Sequence, residues 1–216
     1  MTLIEPTPSL KEMQCDDVQK HPGRRMTETE FMEWISDKTR ADWVDGEVVM
    51  MAADSTDNSD FSIWLLRLVG EFIEHFELGK VLGTNVLIRL PKQRRRRMPD
   101  LLFVSKERTE IIKRTYVDGP PDLIIEIVAE ESVTRDWHDK YLEYERAGVK
   151  EYWIAHREGA RIEAYSLSKA GKYQRILPHE GKLASKVLHG FHLRLEWALA
   201  PKLPRIREAL RELGVK

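Results

Sequence analysis

The sequence predicts one α/β (α+β) domain with a mixed β-sheet flanked by helices and additional antiparallel strands in its C-terminal part. Apolar runs of strand length at 101–104 and 123–128 alternate with longer segments of helical period. Further short strands follow at hairpin spacing after residue 151. The chain has 216 residues, 42% of them hydrophobic, enough for one sizeable core and short for two.

Residues 1–25 hold Pro6, Pro8, Pro22 and Gly23 without an apolar period, and read as a mobile arm before a domain over 26–216. Thr27 and Glu30 form a capping box for a helix near 28–36. Residues 43–51 read as a hairpin turning at Asp45-Gly46. Ile63, Leu66, Val69, Ile73 and Phe76 recur at helical spacing, so 58–78 is a helix, with Gly79 as its C-terminal cap. A strand over 81–90, a charged turn over 91–97 and a strand over 101–104 follow. Residues 105–121 read as a short helix and a loop ended by Gly119-Pro120-Pro121, and 123–128 as the central strand. A helix over 134–147 ends at Gly148, strands occupy 152–155, 161–167, 173–177 and 191–197, and 203–214 is an amphipathic helix. These late strands are the additional antiparallel ones.

Composition narrows the function classes. Lys+Arg total 35 against 36 Asp+Glu, so a nucleic-acid partner needs a local basic patch. The single cysteine, Cys15, excludes an intramolecular disulfide and a cysteine-built zinc site. No apolar stretch reaches the ~18–20 residues of a membrane span, and no apolar leader is visible, so the expectation is a cytoplasmic protein away from membranes.

The chemistry lies at the two strands. Asp100 opens one apolar run and Glu126 lies inside the other, where an unpaired carboxylate is costly. A divalent cation, Mg²⁺ or Mn²⁺, offsets that cost if Asp100 and Glu126 hold it, with the Ile127 carbonyl as a third oxygen. Such a cation suits phosphodiester hydrolysis, since it polarises the phosphoryl oxygen and lowers the pKa of the attacking water. Lys140 shares a helix face with Asp136 and Tyr144 and is placed to orient the water or stabilise charge, while adding little to the core. The plain alternative is that Asp100 caps a strand and Glu126 pairs with Lys140 structurally.

Val44-Asp45-Gly46-Glu47, Pro99-Asp100-Leu101-Leu102-Phe103-Val104, the stretch from Gly119 to Val128, Asp136 to Lys140 and Ala147 to Ile154 together resemble the Uma-two family of restriction-endonuclease-like domains, within the PD-(D/E)XK nuclease superfamily. The resemblance covers roughly residues 27–200. It implies a restriction-endonuclease-like core, metal ligation by Asp100 and Glu126, and a further acid, Glu47, at the rim of the site. The superfamily's lysine position falls on Val128 here, and the resemblance implies that Lys140, on the next helix, takes its place. Family members often carry a histidine where this chain has Asn58, and an amide cannot take up a proton as imidazole does.

The run Arg94, Arg95, Arg96 and Arg97 reads either as a phosphate-holding patch beside the site or as a solvated turn. Trp137 reads as packing, with reaching the site mouth as the alternative, and His156 as a strand-end surface residue. The expected function is a metal-dependent endonuclease acting on nucleic acid, DNA first, as a homodimer. The rival is a nucleic-acid-binding or interaction module with little cleavage, to which Asn58 points.

Overall fold

A computed structural model describes residues 25–36, 39–51, 53–83, 85–128 and 135–216; the expected arm, apart from Arg25, lies outside these. Helix α1 (Glu28–Trp34) is closed at its start by the capping box: Thr27 Oγ1 accepts from the Glu30 amide, and the Glu30 carboxylate accepts from the Thr27 amide. Strands β1 (Ala41–Val44) and β2 (Glu47–Met50) form the expected hairpin. Its turn residues, Asp45 and Gly46, have φ of 50° and 95°, the left-handed pair that matches the twist of a two-residue hairpin. Helix α2 (Thr56–His75) starts where the Ser55 hydroxyl accepts from the Asn58 amide.

The strands that follow are β3 (Gly79–Leu82), β4 (Leu87–Leu90), β5 (Arg95–Arg97), β6 (Leu101–Ser105), β7 (Tyr116–Asp118) and β8 (Leu123–Ile127). A π-helical turn, Arg135–Lys140, runs directly into α3 (Tyr141–Ala147). Gly148 ends α3 in the left-handed conformation, as expected. Then come β9 (Glu151–His156), β10 (Arg161–Leu167), β11 (Tyr173–Ile176), β12 (Lys182–Ala184), β13 (His192–Arg194), α4 (Leu195–Leu199) and α5 (Ile206–Glu212).

Two larger sheets result, of order β2-β1-β5-β4-β7 and β11-β10-β9-β8-β6-β3, with β12-β13 as a separate ribbon. The second sheet is mixed: β8 pairs antiparallel with β6 and parallel with β9. Alternation along β8 sends Leu123 and Ile125 to one face and Ile124 and Glu126 to the other. On the first face they pack with Phe61, Leu65 and Phe72 of α2. On the second, Ile124 joins Tyr144 of α3 and Ile88 and Val117 of the other sheet. Glu126 therefore points into the layer shared by α3 and the five-stranded sheet.

Several expected elements change. The strand expected over 81–90 is two strands in different sheets, because the chain turns between them, with Asn85 at φ 72°. Gly79 does not cap the helix, which ends at Phe76. It begins β3, where an added Cβ would lie 2.2 Å from the Val104 carbonyl oxygen, so the backbones meet at a distance only glycine allows. The charged turn shrinks to Pro91–Gln93 and Arg94, and Arg95–Arg97 is a strand. Residues 195–199 coil rather than extend, which sets Trp197 edge-on against Trp64 at 6.4 Å. The short strands β7 and β12 went unread, since three residues carry no measurable period.

Gly79→Ala is expected to destabilise the fold by about 2–3 kcal/mol, the upper part of the range for single substitutions, because the clash is with backbone. Urea unfolding with an unchanged midpoint would show that β3 and β6 can separate without cost.

Candidate active site

The antiparallel register pairs Leu101 with Ile125, so Asp100 stands opposite Glu126 one step further along. Asp100 Oδ2 accepts a hydrogen bond from the Ile127 amide at 2.8 Å. Ile127 thus meets the acid through its N–H, which fixes the Asp100 carboxylate. Glu126 is buried and held from α3 and the π turn: Tyr144 donates its hydroxyl to Oε1 at 2.8 Å, and Lys140 Nζ lies 3.0 Å from Oε2. Lys140 and Tyr144, four apart, meet the same carboxylate, which is the shared face that the sequence predicts. The side chain of Asp136, expected on that face, lies outside those described.

Arg40 and Asp54 complete the cluster, and sequence reasoning missed both. Arg40 Nη2 lies 3.6 Å from Asp100 Oδ1, and its Nη1 donates to Asp54 Oδ2 at 3.0 Å. Asp54 immediately precedes Ser55, the N-cap of α2, in a stretch without an apolar period. Burial raises the Asp100 carboxyl to about 6, and the Asp54 charge adds to this; the Ile127 amide, Lys140 and Arg40 oppose it. Burial and the neighbouring Glu126 charge keep the Tyr144 hydroxyl protonated as a donor. At the first turn of α2, Asn58 is 2% exposed, and neither polar atom of its side chain has a hydrogen-bond partner among the described residues.

The arginine run is the main departure from expectation. Strand alternation splits it, Arg95 and Arg97 turning to α3 and Arg96 to α1. Arg97, 2% exposed, donates to Asp42 Oδ2 at 2.9 Å and to both oxygens of Glu143 at 2.8 Å. Arg95 is shared between Glu143 and Asp45, and Arg96 donates to Glu28 and lies over Tyr116. Only Arg94 of this run, 70% exposed, faces solvent in the manner a phosphate patch needs. Glu47 is also displaced: it stands at the turn end of the hairpin, 3.6 Å from Arg25, while Arg40 is at the other end, about 13 Å away along the strand. His156 is buried, edge-on to Trp137 at 5.9 Å, and is not a surface residue.

The donor set suits a hard cation. Two facing carboxylates satisfy an ion that binds oxygen and keeps several waters. Among the described residues no group of three or more His, Cys, Asp or Glu side chains is placed to hold a metal.

A family model, Uma2, described as "Putative restriction endonuclease", matches residues 28–200. The fold is similar to the crystal structure of a putative nuclease belonging to DUF820 from Anabaena variabilis ATCC 29413, with a TM-score of 0.65 and 11% identity over 87% of this chain and 99% of that one. No curated protein matches the chain. No described helix is long and apolar enough to cross a membrane.

Two outcomes follow from the geometry. A carboxyl raised to about 6 in the folded state, from an ordinary value near 3.8, costs stability while ionised; the cost is complete above pH 6 and relieved as pH falls through 6 toward 3.8. Asp100→Asn should therefore stabilise the metal-free protein at pH 8 by about 1–3 kcal/mol and lose that advantage near pH 4. Equal stability of the two proteins at both pH values would refute the burial penalty. Lys140 is buried against Glu126, contrary to the expectation that it contributes little to the core. Lys140→Ala should cost about 3 kcal/mol by leaving a buried carboxylate uncompensated, and the pair Glu126→Gln with Lys140→Met should regain most of it. Thermal unfolding at pH 7 reads both.

Proposed function

We propose that this chain, which belongs to the Uma2 family of restriction-endonuclease-like proteins, is a metal-dependent nuclease that hydrolyses phosphodiester bonds in DNA. The observation that carries the reading is the opposition of Asp100 and Glu126 on adjacent strands, with the Lys140 ammonium 3.0 Å from Glu126. Asp100 and Glu126 are the residues that would hold Mg²⁺ or Mn²⁺. When bound, the ion supplies Lewis acidity toward a phosphoryl oxygen and a more acidic water.

The chain's own groups do the rest. The Ile127 amide and the Tyr144 hydroxyl each orient one carboxylate, so the two acids are held before any ligand arrives. The Lys140 ammonium is held in a buried layer, where it stabilises negative charge developing on phosphoryl oxygens. Arg40, less buried than Lys140 and already beside Asp100, is a second cation of the site. Glu47 has no part in this arrangement. The same proposal has one domain over 26–216 act in the cytoplasm, as a homodimer that meets both strands of a duplex.

One observation favours the second reading, a nucleic-acid-binding module with little cleavage. Asn58 puts an amide, buried and without a partner among the described residues, where family members often carry histidine.

Mn²⁺ titration followed by thermal unfolding separates these readings from a site without metal. Saturation at about 100 times Kd should add about 2.7 kcal/mol, and Asp100→Ala should abolish the gain. Wild-type protein with Mg²⁺ should nick or linearise supercoiled plasmid, and Lys140→Met should not. Metal-dependent stabilisation without any plasmid conversion would reject hydrolysis and retain the binding module.

A further inference from the structure

Register extends the site across the sheet. Glu126 lies beside Ile154 in the parallel β8–β9 pair, and Ile154 lies opposite Glu163 in the antiparallel β9–β10 pair. Paired residues share a sheet face, so Asp100, Glu126, Ile154 and Glu163 form one row across four strands. At about 4.8 Å per strand, Glu163 stands about 10 Å from Glu126 at backbone level. Arg175, opposite Tyr165 on β11, faces the same side.

Glu163 is buried, and an unusual number of donors converge on it. Trp137 Nε1 donates at 2.8 Å, the Tyr165 hydroxyl donates as well, and Arg161 donates through Nε and Nη2 at 3.1 and 3.0 Å. Arg175 Nη2 adds an ion pair at 2.8 Å. One carboxylate thus faces two guanidinium groups, and the cluster carries an excess positive charge. Both arginines remain more than half exposed, at 54% and 53%. Arg161 also lies over the Trp137 ring at 4.7 Å, which fixes its plane. Trp137 belongs to the same π turn as Lys140, so the cluster and the acid pair are positioned by one element.

A structural ion pair needs one arginine. Two arginines, oriented by a shared carboxylate and open to solvent, provide the planar donor array that phosphate oxygens accept from. We propose that Arg161 and Arg175, held on Glu163 beside Trp137, bind a backbone phosphate of the DNA strand that enters the Asp100–Glu126 site. The patch takes the part that the sequence offered to Arg94–Arg97, three of which are spent on internal pairs. The proposal rests on the nuclease reading, and binding without metal tests it separately.

The probe is a short fluorescent single-stranded DNA, titrated by anisotropy in EDTA over a series of salt concentrations. Removing both arginines alone would strand the buried Glu163, so the variant is Arg161→Gln, Glu163→Gln and Arg175→Gln together. Arg175→Gln alone, which leaves Arg161 on Glu163, is the second variant. The triple variant should unfold cooperatively, bind about tenfold more weakly, and show a log–log salt slope shallower by about 0.7 for each phosphate it no longer neutralises. The single variant should fall between it and wild type. Arg205→Gln with Arg207→Gln, on exposed positions around α5, should leave the slope unchanged. Wild-type protein that fails to bind, an unchanged slope in the triple variant, or equal flattening in the α5 control would overturn the proposal. Plasmid cleavage alongside an unchanged slope sinks the patch and spares the nuclease reading. Arginine-dependent binding without cleavage does the reverse.

Discussion

Arg97 is the interaction on which the rest of the arrangement depends. Its guanidinium, 2% exposed, joins Asp42 of β1 to Glu143 of α3, and thereby locks the five-stranded sheet to the helix. The ionised carboxylates around it hold its pKa above the ordinary arginine value, even though burial works in the opposite direction. Asp42 also accepts from the Met98 amide, which fixes the backbone just before Asp100. Arg97 and Asp100 are three positions apart in the chain, as are Lys140 and Glu143. One buried ion pair therefore sets the distance between the strand that carries an acid and the helix that carries the cation. Removing one partner of such a pair costs about 3–5 kcal/mol, whereas replacing the group with apolar side chains can be neutral. Its value here is register between elements rather than net stability.

The site follows the same economy. Each carboxylate that matters is gripped by a group belonging to a different element: Asp100 by the β8 backbone, Glu126 by α3, Asp54 by Arg40 ahead of β1. Charges placed in this way are tolerated because partners are already there, and that keeps the geometry from relaxing before substrate arrives. Asp100 stands apart, with its carboxyl raised to about 6 by burial. The Ile127 amide, Lys140 and Arg40 oppose that rise without cancelling it.

Much of this could be read in the sequence, for reasons that are physical. Asp100, Glu126 and Lys140 stood out because charged residues beside β-branched runs are costly, and period two and period four each put them on a definite face. The capping box, the Asp45-Gly46 turn and the Gly148 cap were legible because each is a local backbone solution with a fixed residue preference. What failed was everything decided by distant partners. A run of arginines looks solvated until it is known that Glu28, Asp42 and Glu143 converge on it from elsewhere. Glu47 looked close to the site because the sequence does not show which end of a hairpin meets Asp100. Arg40 and Asp54 had no signal at all, being single charges in polar surroundings. The split of 81–90 between two sheets depends on where neighbouring strands lie, and propensity is silent about that.

The order of these parts along the chain has a consequence for the protein's birth. Asp54, Asp100 and Glu126 leave the ribosome before Lys140, and β9, the parallel neighbour of β8, follows still later. At about 5–20 residues per second, the acids precede β9 by on the order of several seconds. Early in that interval Glu126 has its antiparallel neighbour β6 but neither its parallel neighbour β9 nor its ammonium partner. A parallel pair closes only after its crossover has been made, so the β6–β8 pair that opposes the two acids precedes the β8–β9 pair beside it. The acids and the cation are therefore made in stages, and the strand that completes the buried surroundings of Glu126 comes last.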